Sequence, residues 1–421
     1  MAEESILTDD FLRELMNVGE VDILVGVPTY NDASSVGQVV QAIRAGLLQY
    51  FPRQRAVIIN TDGGSRDATQ DLVRAASISD MQQARNPQAL RTLHSISTRY
   101  EGGPGSAKAL YTILAAADLL HPVACAVISP DSNLEPAWMP RLLQPVCRES
   151  FDLIAPLYRR HKFDGLLVRS LVYPMTRAVY SKCVREPYPS ELAFSGRLGS
   201  HLFSQDIWSQ DLGLAGAELL LSIAAITDSF CVAQTFLGTK STVDHASTDL
   251  VRAIRNTVGP LFWSLEHNPP LQRAPSDCES IPTLGEEPEV TLEPRRINRK
   301  RLYQMFTHGV VELEPVLKTI LSAATLADLQ QAAAAGEAEF CYSDELWVKT
   351  VYEFAAAYHQ AVINRDHIIQ ALAPLYRGKA HTFLSENRDA TGDELERNIE
   401  ALCLTFERLK PYLAALWNGG K

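Results

Sequence analysis

No two cysteines in this chain are spaced as CxxC. The seven present, Cys125, Cys147, Cys183, Cys231, Cys278, Cys341 and Cys403, are scattered and odd in number. That pattern argues against a disulfide framework or a structural zinc site, and for a reducing, cytoplasmic setting. Long apolar runs are also missing. Nothing approaches the roughly 20 residues of a membrane span, and the leading candidate run, Leu219 to Ile226, is short and reads as a buried helix. The first residues, MAEESILTDDFLREL, are acidic with no apolar h-region, so no secretory leader is expected. There is no solenoid-type repeat. Positive charge is in deficit, with 39 Lys and Arg against 50 acids and a net −11. This balance speaks against a general nucleic-acid or anionic-membrane binder, and leaves room for a local basic pocket that takes a phosphate.

What is present is globular. Hydrophobic residues make up 46% and charged residues 21%, enough for a sizeable core. The 421 residues suit roughly two to three domains. Residues 1–20 read as a leading helix with Ile6, Leu7, Phe11, Leu12 and Leu15 on one side. Asp22 to Pro28 reads as a buried strand stopped by proline, and Val36, Val39, Val40, Ile43 and Leu47 have helical spacing. Ala56 to Asn60 is a second strand, residues 90–98 a third and Val123 to Ser129 a fourth, with helices after Ala68 and from Ser106 to Leu120. Such alternation predicts a mostly parallel sheet with helices on both faces.

The expected organisation is a leading helix at 1–20, an α/β domain at 21–267, a Pro-rich linker at 268–296 and an α-helical region at 297–421. Asp344 to Ile363 is the clearest late helix, with Leu346, Val348, Val351, Phe354, Ala355 and Tyr358 as an apolar surface.

Ligands of such sheets sit at the carboxyl ends of the strands. The loops after Val27, Ile59 and Ile128 emerge there and are expected to share one cleft. Pro28-Thr29-Tyr30-Asn31-Asp32 offers polar side chains to a nucleoside, or merely leads into a helix capped by Ser34 or Ser35. In Asp62-Gly63-Gly64-Ser65-Arg66-Asp67, glycines let the backbone approach a ligand and Asp62 is an acceptor for a base or ribose. The plain alternative is a strand-to-helix turn capped by Ser65 or Asp67. Pro130-Asp131-Ser132-Asn133 supplies one carboxylate and one amide oxygen, the donor type a hard cation takes. It is equally an ordinary Asx turn.

Taken in order, PTYND, TDGGSRDAT, GGPGSAKAL, SPDSNL and a late His245 resemble the retaining transferases with the glycosyltransferase A layout that make mannosylglycerate and glucosyl-3-phosphoglycerate. The resemblance covers roughly residues 20 to 260, and DELWVKTVYEFAAAYH extends it weakly into the helical tail. It implies a family 2-like fold, a UDP- or GDP-hexose donor, a divalent cation (Mn²⁺ or Mg²⁺), a small acidic acceptor such as glycerate or 3-phosphoglycerate, and a homodimer. Position by position, it implies that Pro28, Thr29, Tyr30, Asn31, Asp32, Asp62, Gly64 and Ser132 surround the nucleotide. Asp131, Asn133 and His245 would hold the metal, Asp131 also serving the chemistry. Ser195, Gly196 and Arg197 would receive the acceptor anion at a helix start. Glu218, with Asp211 second, would orient the sugar or acceptor hydroxyl as positive charge develops at the anomeric carbon.

Plainer readings stand beside these. His245 also fits a solvated residue opening a helix, and Glu218 also fits an acid favouring a helix N-terminus. Three departures matter. Ser106 stands where the relatives often carry lysine, with Lys108 two residues on as the substitute toward the diphosphate. Asn133 replaces the second acid of the metal motif, and Arg197 replaces an acid. A catalytically degenerate nucleotide-sugar binder and an inverting transferase with another acceptor are therefore the alternatives.

Overall fold

Seven uncharged residues, Ile23–Thr29, form the first strand, buried along nearly its whole length as a central strand of a parallel sheet must be. The computed structural model describes residues 7–78, 93–100, 107–205, 216–240, 250–267, 278–287 and 297–419. Along them run α1 (Asp9–Val18), β1 (Ile23–Thr29), α2 (Val36–Tyr50), β2 (Ala56–Asp62), α3 (Thr69–Ile78), β3 (Leu93–Arg99), α4 (Ala107–Leu120), β4 (Ala124–Val127), α5 (Trp138–Glu149) and β5 (Leu153–Arg159). A π-helical turn at Val168–Val172 leads into α6 (Tyr173–Tyr180), followed by β6 (Leu192–Ser195), α7 (Gly196–Phe203), α8 (Ala217–Thr227), β7 (Val232–Thr239), α9 (Leu250–His267) and β8 (Thr283–Leu284). The remainder is helical: α10 (Arg299–Glu312), α11 (Glu314–Ile320), α12 (Ala323–Ala334), α13 (Asp344–Gln360), α14 (Arg365–Glu386), α15 (Gly392–Arg408) and α16 (Lys410–Trp417).

The chain divides into two compact units. The sheet unit comprises Met1–Tyr158, Pro189–Gly238 and Ile281–Pro288, and the helical unit comprises Arg159–Tyr188, Thr239–Ser280 and Glu289–Lys421. The helical unit therefore draws two stretches from within residues 21–267.

In the sheet unit the strand order is β3-β2-β1-β4-β6-β5-β7-β8. β1 pairs in parallel with both β2 and β4, and β2 with β3. β6 runs antiparallel to β4 and to β5. The expected mostly parallel, Rossmann-like sheet with helices on both faces is what the structure has. From β1 the chain steps one way to β2 and the other way to β4, so the strand order reverses at β1. That switch opens a crevice at the carboxyl ends.

Val25, Val27, Ile58 and Ala126 project into a core completed by Val36, Val40 and Ile43 of α2 and Met139 and Leu142 of α5. Each such side chain contributes about 1.5–3 kcal/mol on burial. The other face is so close that a Cβ at Gly26 would stand 2.5 Å from Ile113 Cδ1 of α4.

β1 does not stop at Pro28 as the sequence suggested but continues through it to Thr29. β4 pairs with β1 only as far as Gly26, while β2 accompanies it to Thr29. The Thr29 carbonyl accepts from Gly63 N–H on the β2 side, so Pro28 faces the side where pairing with β4 has ended. A residue lacking an N–H is tolerated there.

The helical unit is built on α13, whose Trp347, Tyr352 and Phe354 are fully buried. Ser343 caps it by accepting from Leu346 N–H. Trp347 Nε1 donates to the Ser170 carbonyl at 2.7 Å, and Tyr180 and Ser264 hydroxyls meet at 2.8 Å. Thr391 and Glu394 form a reciprocal capping box at the start of α15. One expectation is corrected here: Cys183 and Cys278 are joined as a disulfide across 95 residues of sequence. The bridge Lys182↔Glu279 beside them aligns the two backbones, a proximity that cysteine spacing does not reveal.

Candidate functional site

The carboxyl ends of β1 and β2 are locked together by side chains. Asp62, the last residue of β2, is fully buried. Its carboxylate accepts from Thr29 Oγ1 (3.2 Å), Gly64 N (3.0 Å), Ser65 N (2.9 Å), Ser65 Oγ (2.5 Å) and Gln70 Nε2 (2.7 Å). A carboxylate offers about four lone-pair directions, so these donors occupy it. Burial alone would raise its pKa, but the hydrogen bonds from Ser65, Gln70 and Gly64 outweigh that and hold it below the usual range.

The two loops are then stitched to each other. Asn31 N–H donates to Ser65 Oγ, Asp32 N–H to Thr69 Oγ1, Ala33 N–H to Asp67 Oδ2, and Arg66 N–H to Asn31 Oδ1, all between 2.8 and 3.1 Å. Asn31 and Gly64 take positive φ, 59° and 87°, to make these contacts. Gly64 bears its conformation freely, and Asn tolerates it better than most residues. Ser35 stands at the N-cap of α2 without a side-chain cap bond. The polar residues of both loops therefore serve mainly to pre-organise one edge.

Against that edge lies a cavity of ≈ 230 Å³ lined by Pro28, Thr29, Tyr30, Asp32, Tyr100, Ala109, Leu110, Val127, Ser129, Pro130, Asp131 and Glu218. It stands at the β1/β4 switch point. Six residues singled out from sequence, Pro28, Thr29, Tyr30, Asp32, Asp131 and Glu218, meet here from three separate segments of chain. Burial first, and then the negative charges of Asp131, Asp67 and Asp62, hold Asp32 above the usual carboxyl range, against the hydrogen bond it accepts from Tyr30 N–H. Glu218 is half-buried in the first turn of α8, after Gly216 at φ 92°. Burial holds its pKa up as well. Two of the three carboxyl groups lining this cavity are thus held toward their neutral form.

Asn31, Asp62, Gly64, Lys108, Ser132 and Asn133 do not line it. Lys108 is exposed in the first turn of α4, and Asn133 is exposed beyond β4. Ser106, Asp211 and His245 lie outside the described residues.

The chemistry of a hard divalent cation fits part of this arrangement. Asp131 and Asn133 offer oxygen donors, and a cation would relieve the repulsion raising Asp32. Among the described residues, no group of three or more His, Cys, Asp and Glu is gathered to hold a metal ion.

Two residues at this edge escaped the sequence reading. Tyr100 follows β3, its N–H donating to the Asp62 carbonyl. Its ring, with that of Tyr30, hems in Gly63, where a Cβ would meet the Tyr100 hydroxyl at 2.8 Å and Tyr30 Cδ2 at 3.1 Å. Burial and then Asp62 and Asp32 push its phenol up to about 12. The parallel register puts the end of β3 beside the end of β2, a signal present in the sequence but unused. Glu191 precedes β6 and is 1% exposed, accepting from both the Ser132 and the Tyr158 hydroxyls. It steadies the Asp131–Asn133 turn. No local signal marks it, because only the antiparallel direction of β6 brings its leading end to this edge.

The same direction moves the expected acceptor residues away. Ser195 pairs with Ala124, the first residue of β4, so Ser195, Gly196 and Arg197 stand at the opposite edge of the sheet. They line a second cavity of ≈ 470 Å³ that shares no residue with the first. Arg197 pairs with the buried Asp152 at 2.6 Å, and Ser195 Oγ donates to that carboxylate at 2.8 Å. Two of the amides expected to attract an anion are in use: Gly196 N–H donates to the Val123 carbonyl, and Leu198 N–H to Ser195 Oγ. Among the described residues, no helix is long and apolar enough to cross a membrane.

No family model and no curated protein matches the chain. Solved structures similar to it include glucosyl-3-phosphoglycerate synthase from Mycobacterium tuberculosis in complex with phosphoglyceric acid. That match has 20% identity and a TM-score of 0.44 over 64% of this chain and 86% of that one. The same enzyme in complex with Mn²⁺, UDP and glucosyl-3-phosphoglycerate matches at 21% identity and a TM-score of 0.43, over 64% and 86% of the two chains. A structure described as a mycobacterial protein matches at 19% identity and 0.43, over 61% and 78%.

Proposed function

We propose that the sheet unit binds a nucleoside-diphosphate hexose, linked to UDP or GDP, and that the protein transfers the hexose with retention to a small hydroxy acid such as glycerate or 3-phosphoglycerate. The observation that carries this reading is the meeting of Thr29, Tyr30, Asp32, Asp131 and Glu218 in one cavity at the sheet's switch point. Tyr30 and Tyr100 give a nucleoside apolar faces with polar tips, and the braced loops give it a preformed edge. Glu218 supplies a carboxyl group on the sugar side, where it orients a hydroxyl while the glycosidic bond breaks.

A divalent cation belongs to the proposal. Asp131 and Asn133 would hold it, and it would neutralise the departing diphosphate. With one carboxylate in that pair, the affinity for the cation is expected to be modest.

Thermal shift with UDP and GDP, with and without Mn²⁺, tests the cleft. Product analysis with UDP- and GDP-hexoses and the two acids tests transfer and the anomer formed. No shift with any nucleotide overturns the whole reading. Nucleotide binding without transfer or donor hydrolysis favours the silent binder, to which Asn133 points.

A further inference from the structure

In this acidic chain, the stretch from Arg159 to Tyr188 carries seven Lys or Arg against two acids, an excess of five positive charges. The helical unit answers most of them. Arg177 pairs with Glu400 at 2.5 Å and Glu407 at 2.7 Å, and Lys182 pairs with Glu279. Arg160 pairs with Glu186 at 2.9 Å. Arg185 pairs with Glu396 and stacks over the Tyr173 ring at 4.8 Å. Lys162 donates to the carbonyls of Arg388 and Ala390.

Arg169 is different. Its guanidinium donates through Nη1 alone, to the carbonyls of His161 (3.4 Å) and Lys162 (3.2 Å). Among the described residues no carboxylate pairs with it, and Nε and Nη2 have no protein acceptor. The largest charge effects on it come from Arg160 and Arg185 on one side of the balance and Glu396 and Glu186 on the other. Both of those carboxylates already have partners, Glu186 in Arg160 and Glu396 in Arg185. Burial first, and then Arg160, push the Arg169 pKa down to about 10. A half-buried cation without a counter-charge is costly unless an anion completes it.

The backbone around it is unusual. Arg169 lies in the π-helical turn Val168–Val172, a geometry that is rare and frequent at functional sites. Gly165, at φ 65°, precedes it, and a Cβ there would stand 3.3 Å from Arg160 Cδ and 3.5 Å from its Cζ. The absent side chain lets the Arg160 guanidinium lie across the turn.

We propose that Arg169, flanked by Arg160 and Arg185, forms a binding site for a small phosphate- or carboxylate-bearing anion within the helical unit. The fork of Nε and Nη2 suits two oxygens of either group. The site stands on residues of the helical unit alone and does not depend on the sugar-transfer reading.

Calorimetric titration of the full chain with inorganic phosphate, glycerate and 3-phosphoglycerate tests it. The R169Q variant is expected to bind phosphate at least about tenfold more weakly. The R197Q variant should keep phosphate affinity within about twofold, because Arg197 is at another site and already paired. Nucleotide thermal shifts, measured on both variants, should match the wild type and so separate this site from the cleft. If R169Q does not fold, R169K carries the test: it keeps the charge but loses the fork, and at least about threefold weaker binding is expected. A wild type that binds none of the three anions, or a phosphate affinity unchanged in R169Q or R169K, overturns the proposal. Transfer of a hexose to the bound acid would mark the ligand as acceptor, and binding without transfer would mark it as effector. Either outcome supports the site.

Discussion

Thr29 Oγ1 donates to Asp62 Oδ1 at 3.2 Å, joining the last residue of β1 to the last residue of β2. Asn60 Nδ2 reinforces the join by donating to Thr29 Oγ1 at 2.8 Å and to the Val27 carbonyl at 3.0 Å. A polar residue at each strand end thus fixes how far apart the two ligand-edge loops stand.

D62N should loosen both loops. An amide turns one acceptor into a donor facing Gly64 and Ser65 N–H groups, at a cost on the order of 3 kcal/mol. Because the folded pKa of Asp62 is depressed, its contribution is present above the unfolded value and lost as pH falls through the folded one. Urea unfolding between pH 3 and pH 7 should therefore show a shallower acid slope in D62N than in wild type. Equal slopes would remove Asp62 from this role.

Asp32 behaves in the opposite sense. Its raised pKa makes its stabilisation complete below the unfolded carboxyl value and lost as pH rises through the folded value. D131N removes one of the charges raising it, so the Asp32 carboxyl should titrate lower in that variant. Carbon NMR titration of the side chain reads this directly. Mn²⁺ or Mg²⁺ added to the wild type should shift it the same way, and an unmoved titration with either change would exclude electrostatic contact.

E218Q tests the chemistry. If Glu218 acts on the sugar rather than on the nucleotide, kcat should fall by at least about a hundredfold while nucleotide affinity stays within about threefold. A loss confined to KM would instead make Glu218 a binding residue.

His381 should make stability depend on pH near neutrality. It is 4% exposed among Tyr303 and Phe340, with Nδ1 lacking a partner among the described residues. Burial first holds its pKa below the ordinary value. The unfolded chain then binds the proton more readily, so stability falls as pH drops below about 6.5. H381F should flatten that fall in chemical denaturation at pH 7.5 and 5.5.

The Cys183–Cys278 disulfide closes a long loop, and its loss should lower unfolding free energy by about 4 kcal/mol through the entropy of the unfolded chain. C183S and reduced wild type should melt together, below the oxidised protein. Peptide mapping without reductant identifies the linked pair.

What the sequence determined by itself is local and periodic. Runs of Val, Ile and Leu leading into PTYND, and of Val and Ile leading into TDGGSRD, specify strands that deliver polar loops to one edge. Buried spacing of Val36, Val39, Val40 and Ile43 specifies the helix between them, and Asp344 to Tyr358 specifies a buried helix. These follow from side-chain period and turn chemistry, which neighbouring residues settle among themselves. Tertiary structure alone decided the direction of β6. One antiparallel strand sends Ser195, Gly196 and Arg197 to the far edge and brings Glu191 beside Ser132. It also decided that Asp62 braces the loops, that Cys183 meets Cys278, and that Arg169 is left without a carboxylate among the described residues while its neighbours find theirs. Each of these depends on residues tens to hundreds of positions apart, and on which partner reaches a charge first. No period or motif encodes that.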